Sequence, residues 1–204
     1  MRIASPASYC SLGFVGADGD GNRWAITAAH CGGAGSRWST NGIRIGALGH
    51  RRFGGTLDMA AVRVSNDRWE DDPAGYLYNT STAKGDQVDH VRGRGYVVRG
   101  MTLCHAGYRT GRRCGRVLSP STGYRITGGP EIQRAVWIRA CVRGGDSGGP
   151  VYRNDADSTG STVFALAITS AKLGDLDRCE RGDSYLATYL ADFARLEGVR
   201  VRTR

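Results

Sequence analysis

Ser147 stands among small residues in Gly145-Asp146-Ser147-Gly148-Gly149-Pro150. A hydroxyl on a tight glycine turn is exposed, and glycine lets main-chain N–H groups approach whatever that hydroxyl attacks. Acyl transfer asks for this: a nucleophile with backbone donors aimed at a developing oxyanion. A serine hydroxyl stays weakly nucleophilic until a base takes its proton. His30 is a candidate base, in Thr27-Ala28-Ala29-His30-Cys31, after the apolar run Trp24-Ala25-Ile26 and before the turn Gly32-Gly33. That places it where a strand ends, with Cys31 able to anchor its loop. Asp58, in Leu57-Asp58-Met59-Ala60-Ala61-Val62, leads directly into an apolar strand and is expected to be buried. A buried carboxylate can fix the tautomer of an imidazole base and stabilise its charged form. Asp18 and Asp20, among polar loop residues, read as solvated.

These three residues need a rigid frame, and the chain reads as all-β. Strand-like runs recur between turn signals, near residues 11–15, 23–28, 43–48, 59–64, 95–98, 101–105, 115–118, 135–139, 150–152 and 163–170. Turns fall at Asp18-Gly19-Asp20-Gly21, Asn41-Gly42, Gly54-Gly55 and Gly128-Gly129-Pro130. One segment breaks the period: Leu186, Tyr189, Leu190, Phe193 and Leu196 recur at helical spacing before Gly198. With 204 residues, 31 of them glycine, the chain has room for one large β domain or two small ones. No apolar run approaches the ~20 residues of a membrane span. Residues 1–6 lack the apolar core of a leader, so either a leader has been removed or the protein is not exported.

Six cysteines, none in a Cys-x-x-Cys pair, point away from a metal site and towards disulfides in an oxidising compartment. Fifteen pairings of six cysteines are possible from sequence alone. The net charge of +9 comes mostly from arginine. The densest groups, at residues 92–99 and 109–116, lack regular aromatic interleaving. They read as solvated faces rather than a specific nucleic-acid site. His50 and His90 read as surface residues.

The order His, Asp, Ser, together with Cys10-Ser11-Leu12-Gly13-Phe14, Leu103-Cys104-His105-Ala106-Gly107 and Ala165-Leu166-Ala167-Ile168-Thr169-Ser170, resembles the chymotrypsin family. The likeness is to its secreted bacterial branch, the streptogrisins and α-lytic protease, and covers almost the whole chain. It implies one peptidase domain over 1–204 made of two six-stranded antiparallel β-barrels, residues 1–88 and 89–204, the second carrying a closing C-terminal helix. The barrels would meet near residues 80–95. It implies a secreted, monomeric serine endopeptidase that works through an acyl-enzyme on protein or peptide substrates, without cofactor, metal or membrane, after a pro-segment is removed. His30, Asp58 and Ser147 would be catalytic, with the N–H groups of Gly145 and Ser147 as oxyanion hole. The disulfides implied are Cys10–Cys31, Cys104–Cys114 and Cys141–Cys179. The alternative is a catalytically impaired relative that serves as a binding module.

Two positions depart from the family pattern. Bacterial relatives carry an arginine where His105 stands, as partner of the aspartate before the nucleophile. Here either protonated His105 or an arginine such as Arg139 or Arg143 would pair with Asp146. The substrate pocket should be walled by Ala140, Val142, Ser170, Lys172, Asp183 and Ser184, and relatives keep small residues where Ala171 and Lys172 stand. Lys172 could narrow the pocket, pair with Asp183, or meet an acidic side chain. Basic, small apolar and acidic preferences therefore all stay open.

Overall fold

A computed structural model describes residues 1–5, 8–66, 76–79, 87–155 and 162–203, with 76–79, 87–90 and 94 described by backbone alone. The first half forms β1 (Arg2–Ser5), β2 (Ser8–Ser11), β3 (Val15–Ala17), β4 (Arg23–Thr27), β5 (Arg37–Thr40), β6 (Ile43–Gly54) and β7 (Leu57–Arg63). Then come β8 (Tyr76–Asn79), β9 (Gln87–Arg94), β10 (Thr102–Gly107), β11 (Gly111–Arg125) and β12 (Glu131–Arg139). The chain closes with β13 (Pro150–Asn154), β14 (Thr162–Leu173), β15 (Ser184–Tyr189), helix α1 (Leu190–Glu197) and β16 (Arg200–Val201).

Two barrel-like sheets result, as expected of an all-β chain with two barrels, each extended to eight strands where six were expected. The first runs β16-β3-β4-β7-β6-β5-β1-β2 and the second β13-β10-β11-β12-β15-β14-β9-β8. A further β13–β14 pairing closes six strands of the second sheet into a ring. The β8–β9 hairpin lies outside that ring and joins β14 through a parallel ladder, an exception to the antiparallel rule. Pairing crosses the division at residues 88/89 in both directions: β8 belongs to the second sheet and β16 to the first. Part of the junction expected at 80–95 lies outside the described residues, as does the side chain of His90.

Burial explains the strongest elements. Leu57–Val62 on β7 are all buried: β7 is a central strand between β4 and β6, and helix α1 and strands β12 and β15 also pack against it. Ile26, Trp38, Leu57, Met59 and Val62 centre the first core, and Leu103, Val136, Ile138, Val151 and Tyr185 the second. Asn41-Gly42 turns β5 into β6 with positive φ at both residues, the geometry a tight hairpin requires. Asp18 is less solvated than expected: its carboxylate accepts from the N–H groups of Asp20 and Asn22, from the Asn22 amide and from Trp24 Nε1, closing the β3–β4 turn.

Three expectations fail for tertiary reasons. Leu186 and Tyr189 belong to β15, not to the helix, which starts at Leu190. All six residues of β15 are buried between β12 and β14, so their spacing carries no face. Residues 95–98 form no strand, and Tyr96 and Val98 are exposed. The run 11–15 is interrupted because its backbone bonds across to other segments: Ser11 N–H donates to Ser147 O at 2.8 Å and Gly13 N–H to Ile26 O at 2.8 Å.

Candidate active site

His30 sits in a short helical turn, Ala29–Cys31, at the end of β4, and Asp58 is the second residue of β7. The β4–β7 ladder runs from Trp24↔Arg63 to Thr27↔Ala60, which brings the two together. Asp58 is fully buried, while the His30 side chain is about a quarter exposed. His30 Nδ1 lies 2.6 Å from Asp58 Oδ2, and its main-chain N–H donates to Oδ1 at 2.9 Å. Burial alone would push the Asp58 carboxyl up; the hydrogen bonds and charge of His30 and the hydroxyl of Ser170 outweigh that and hold it below the usual range. Asp58 is therefore an acceptor at both oxygens. His30 therefore donates from Nδ1, and Nε2 is the nitrogen that faces away from Asp58.

The nucleophile turn is fixed from below. Gly148 N–H donates to Thr169 O at 2.8 Å, Gly149 N–H to Asp146 O at 2.9 Å and Asp146 N–H to Arg143 O at 2.9 Å. Gly145 has φ +98°, where a side chain would be strained, and a Cβ on Gly148 would clash with Thr27 Oγ1. Ser147 thus lies one residue from the backbone that carries Thr27 and Ala28. Among the described residues, the N–H groups of Gly145 and Ser147 donate to no protein acceptor. His30 Nε2 and Ser147 Oγ form no hydrogen bond, a contact that often tightens only when substrate binds.

A sequence model of the trypsin family matches residues 16–195. The chain belongs to the trypsin family. Serine protease 2 of Streptomyces fradiae is 33% identical over 175 residues, 84% of this chain and 91% of the relative. Protease A of Thermobifida fusca superposes with a TM-score of 0.80 at 27% identity, covering 100% of this chain and 96% of that one. An α-lytic protease homologue shares the fold at TM-score 0.72 and 22% identity, over 97% of this chain and 95% of that one. This trypsin-family chain is a serine endopeptidase, and its relatives are bacterial chymotrypsin-like enzymes.

Among the described residues, no cationic side chain pairs with Asp146. Its carboxylate accepts from the N–H groups of Arg109 (2.8 Å), Thr110 (3.2 Å) and Arg143 (2.8 Å) and from the Thr110 hydroxyl (2.7 Å). Arg143 thus contributes its backbone, not its guanidinium, and Arg139 stays exposed. His105 is buried behind Thr110. Its Nε2 lies 3.3 Å from Thr110 Oγ1 and 3.2 Å from Cys141 O. Thr110 spends its one proton on Asp146 and Cys141 O only accepts, so Nε2 carries the imidazole proton. Burial holds His105 down to about 4, with Asp146 opposing, and Nδ1 has no partner. The neutral ring, not a cation, occupies the arginine's place.

The residues expected to wall a pocket lie on β14, β15 and the segments next to them. The disulfides Cys10–Cys31, Cys104–Cys114 and Cys141–Cys179 form, and the third ties residues 140–143 to the loop before β15. Gly144 N–H donates to Leu176 O at 2.8 Å. The β14–β15 register sets Lys172 opposite Tyr185 and Leu173 opposite Ser184. Val142, Ser170 and Ser184 are buried and Ala140 half-buried. The Lys172 side chain is also buried, with its ammonium 2.9 Å from Asp183 and bonded to the carbonyls of Asp175 and Arg178. Ser170 turns its hydroxyl onto Asp58 rather than towards the pocket. Each group of three possible metal ligands among the described residues contains one of these disulfides, whose sulfurs are already bonded to each other.

Sequence reasoning gave Ser11 no role, yet it is a hub. Its hydroxyl donates to Gly145 O at 3.0 Å and accepts from Tyr108 N–H at 2.9 Å, and its carbonyl accepts from Thr27 Oγ1 at 3.0 Å. Its place beside Cys10 in a quoted motif was the only hint. Thr110, Tyr124 and Thr188, whose hydroxyl donates to the Asp58 carbonyl at 3.3 Å, carried none.

Proposed function

We propose that Ser147 is the nucleophile, His30 the general base and then acid, and Asp58 the carboxylate that fixes the His30 tautomer. The supporting observation is the 2.6 Å contact between His30 Nδ1 and a fully buried Asp58. It leaves Nε2 as the basic nitrogen beside the Ser147 turn. As Ser147 Oγ bonds to the substrate carbonyl carbon, its proton passes to Nε2. The carbonyl oxygen becomes an oxyanion held by the N–H groups of Gly145 and Ser147. Loss of one such donor typically costs ~3–4 kcal/mol of barrier. Collapse breaks the C–N bond, and the leaving amine takes the proton from Nε2. Water then repeats the steps on the acyl-enzyme and frees the acid.

The side chain taken before the scissile bond is small and uncharged in this reading. Asp183 is the feature that would read a basic residue, and Lys172 the one that would read an acidic one. The two neutralise each other at 2.9 Å across adjacent walls. The three disulfides support export to an oxidising compartment. The enzyme then acts as a monomer on proteins and peptides, after removal of any pro-segment. A serine-directed phosphonylating reagent tests the assignment: label should map to Ser147, and label elsewhere with activity lost would refute it.

A further inference from the structure

We propose that Tyr124 is a positioning residue of the active site, acting on Asp58 through Ser170. The Tyr124 hydroxyl lies 2.5 Å from Ser170 Oγ, and Ser170 Oγ is bonded to Asp58 Oδ2. Counting protons fixes every direction. Asp58 is ionised and only accepts. Ser170 owns a single proton, which goes to Asp58. Ser170 must then accept from Tyr124, so the phenol proton points at Ser170. Burial, and after it the charge of Asp58, push the phenol well above its ordinary value, so that proton stays in place.

A serine hydroxyl by itself rotates among staggered wells. With Tyr124 on one lone pair, the Ser170 proton is committed to Asp58. Asp58 Oδ2 then receives two donors, Ser170 and His30 Nδ1, and Oδ1 receives the His30 N–H. If Ser170 turned away, Oδ2 would keep only the moving imidazole as its partner. Tyr124 is held for this task. It opposes the fully buried Ile132 across the β11–β12 ladder, and Ile132 bridges to Gly55, three residues before Asp58. Gln133 N–H donates to Gly55 O at 2.6 Å. One hairpin of the second sheet thus fixes both the phenol and the backbone leading to the carboxylate of the first.

The inference rests on Asp58 as the orienting carboxylate. The test is kcat and KM on a peptide anilide for wild type, Tyr124→Phe, Ser170→Ala, the double variant and Asp58→Asn. A single hydrogen bond of ordinary net strength corresponds to about two- to tenfold in rate. Tyr124→Phe should lower kcat by that factor with KM changed less than about twofold, and should add nothing in the Ser170→Ala background. The NMR resonance of the His30 Nδ1 proton should move in Tyr124→Phe. Phenylalanine keeps the ring, so a merely space-filling tyrosine would lose nothing. Wild-type kcat in Tyr124→Phe, or an equal loss in both backgrounds, overturns the proposal. If Ser170→Ala does not fold, an unmoved Nδ1 resonance in Tyr124→Phe overturns it instead. Full turnover in Asp58→Asn would strike the reading of the whole site rather than the relay alone.

Discussion

Acid should unfold this protein through His105. Its folded-state value is about 4, against an ordinary value of 6.5, because a fully buried ring holds its charged form badly. The sign follows from proton uptake. Above about pH 6.5 both states are neutral and the ring contributes nothing. Between there and about pH 4 the unfolded chain binds a proton that the folded chain refuses, so stability falls with pH. Fully expressed, that difference corresponds to about 3 kcal/mol, of which about 2 should be lost between pH 7 and 5. The groups facing the ring are Asp146, Arg113 and Tyr185, and of these Asp146 opposes the shift. The assay is denaturant unfolding of the Ser147→Ala protein, which cannot digest itself, with and without His105→Gln. The glutamine protein starts from a lower stability but should lose about 2 kcal/mol less over that range. Parallel pH slopes for the two proteins would refute the argument, and His105 would then be protonated in the fold.

Ser147→Ala should abolish hydrolysis with the fold intact, and Asp58→Asn should lower turnover by ~10⁴, the loss known for that substitution in a well-studied serine protease; near-wild activity in either, on a peptide anilide, contradicts the site. Lys172→Gly frees Asp183 and opens the wall, so a peptide-library profile should gain basic and bulky residues before the scissile bond by about tenfold or more, the scale of one unscreened charge contact; an unchanged profile would leave the pair irrelevant to selectivity. Ser11→Ala strips Gly145 O and Tyr108 N–H of a partner and should cost about 1–3 kcal/mol in unfolding experiments, with kcat falling; unaltered stability and kcat would remove Ser11 as a hub. Mass mapping of a non-reduced digest should return the three pairings 10–31, 104–114 and 141–179, and free thiols in purified protein would count against export.

What was legible in the sequence was local. His30, Asp58 and Ser147 each sit in a short string whose residue types state their surroundings: a strand end, an apolar strand, a glycine turn. The sheet content was legible from turn spacing, but β15 was not, because a strand buried on both faces keeps no alternation. Asp146 shows the limit most clearly. An acidic residue beside the nucleophile invites a search for a cation, yet three backbone N–H groups and one hydroxyl answer it. Main-chain donors have no letter in a sequence. Tyr124 was equally invisible, since its contact with Ser170 depends on how β11 and β14 are set within one closed ring.

The pairing of β16 with β3 sets Val201 against Gly16 and Arg200 against Ala17, and Ser11 reaches forward to Ser147. In chain order His30 and Asp58 come long before β16, which pairs at the edge of their sheet. Ser11 likewise comes long before the carbonyl it must hold. Contacts so far apart in sequence form late and slowly. The turns that carry His30 and Ser147 are therefore framed by contacts that close late in folding. A serine endopeptidase framed this way owes its geometry to segments distant in sequence, not to the short strings around His30, Asp58 and Ser147.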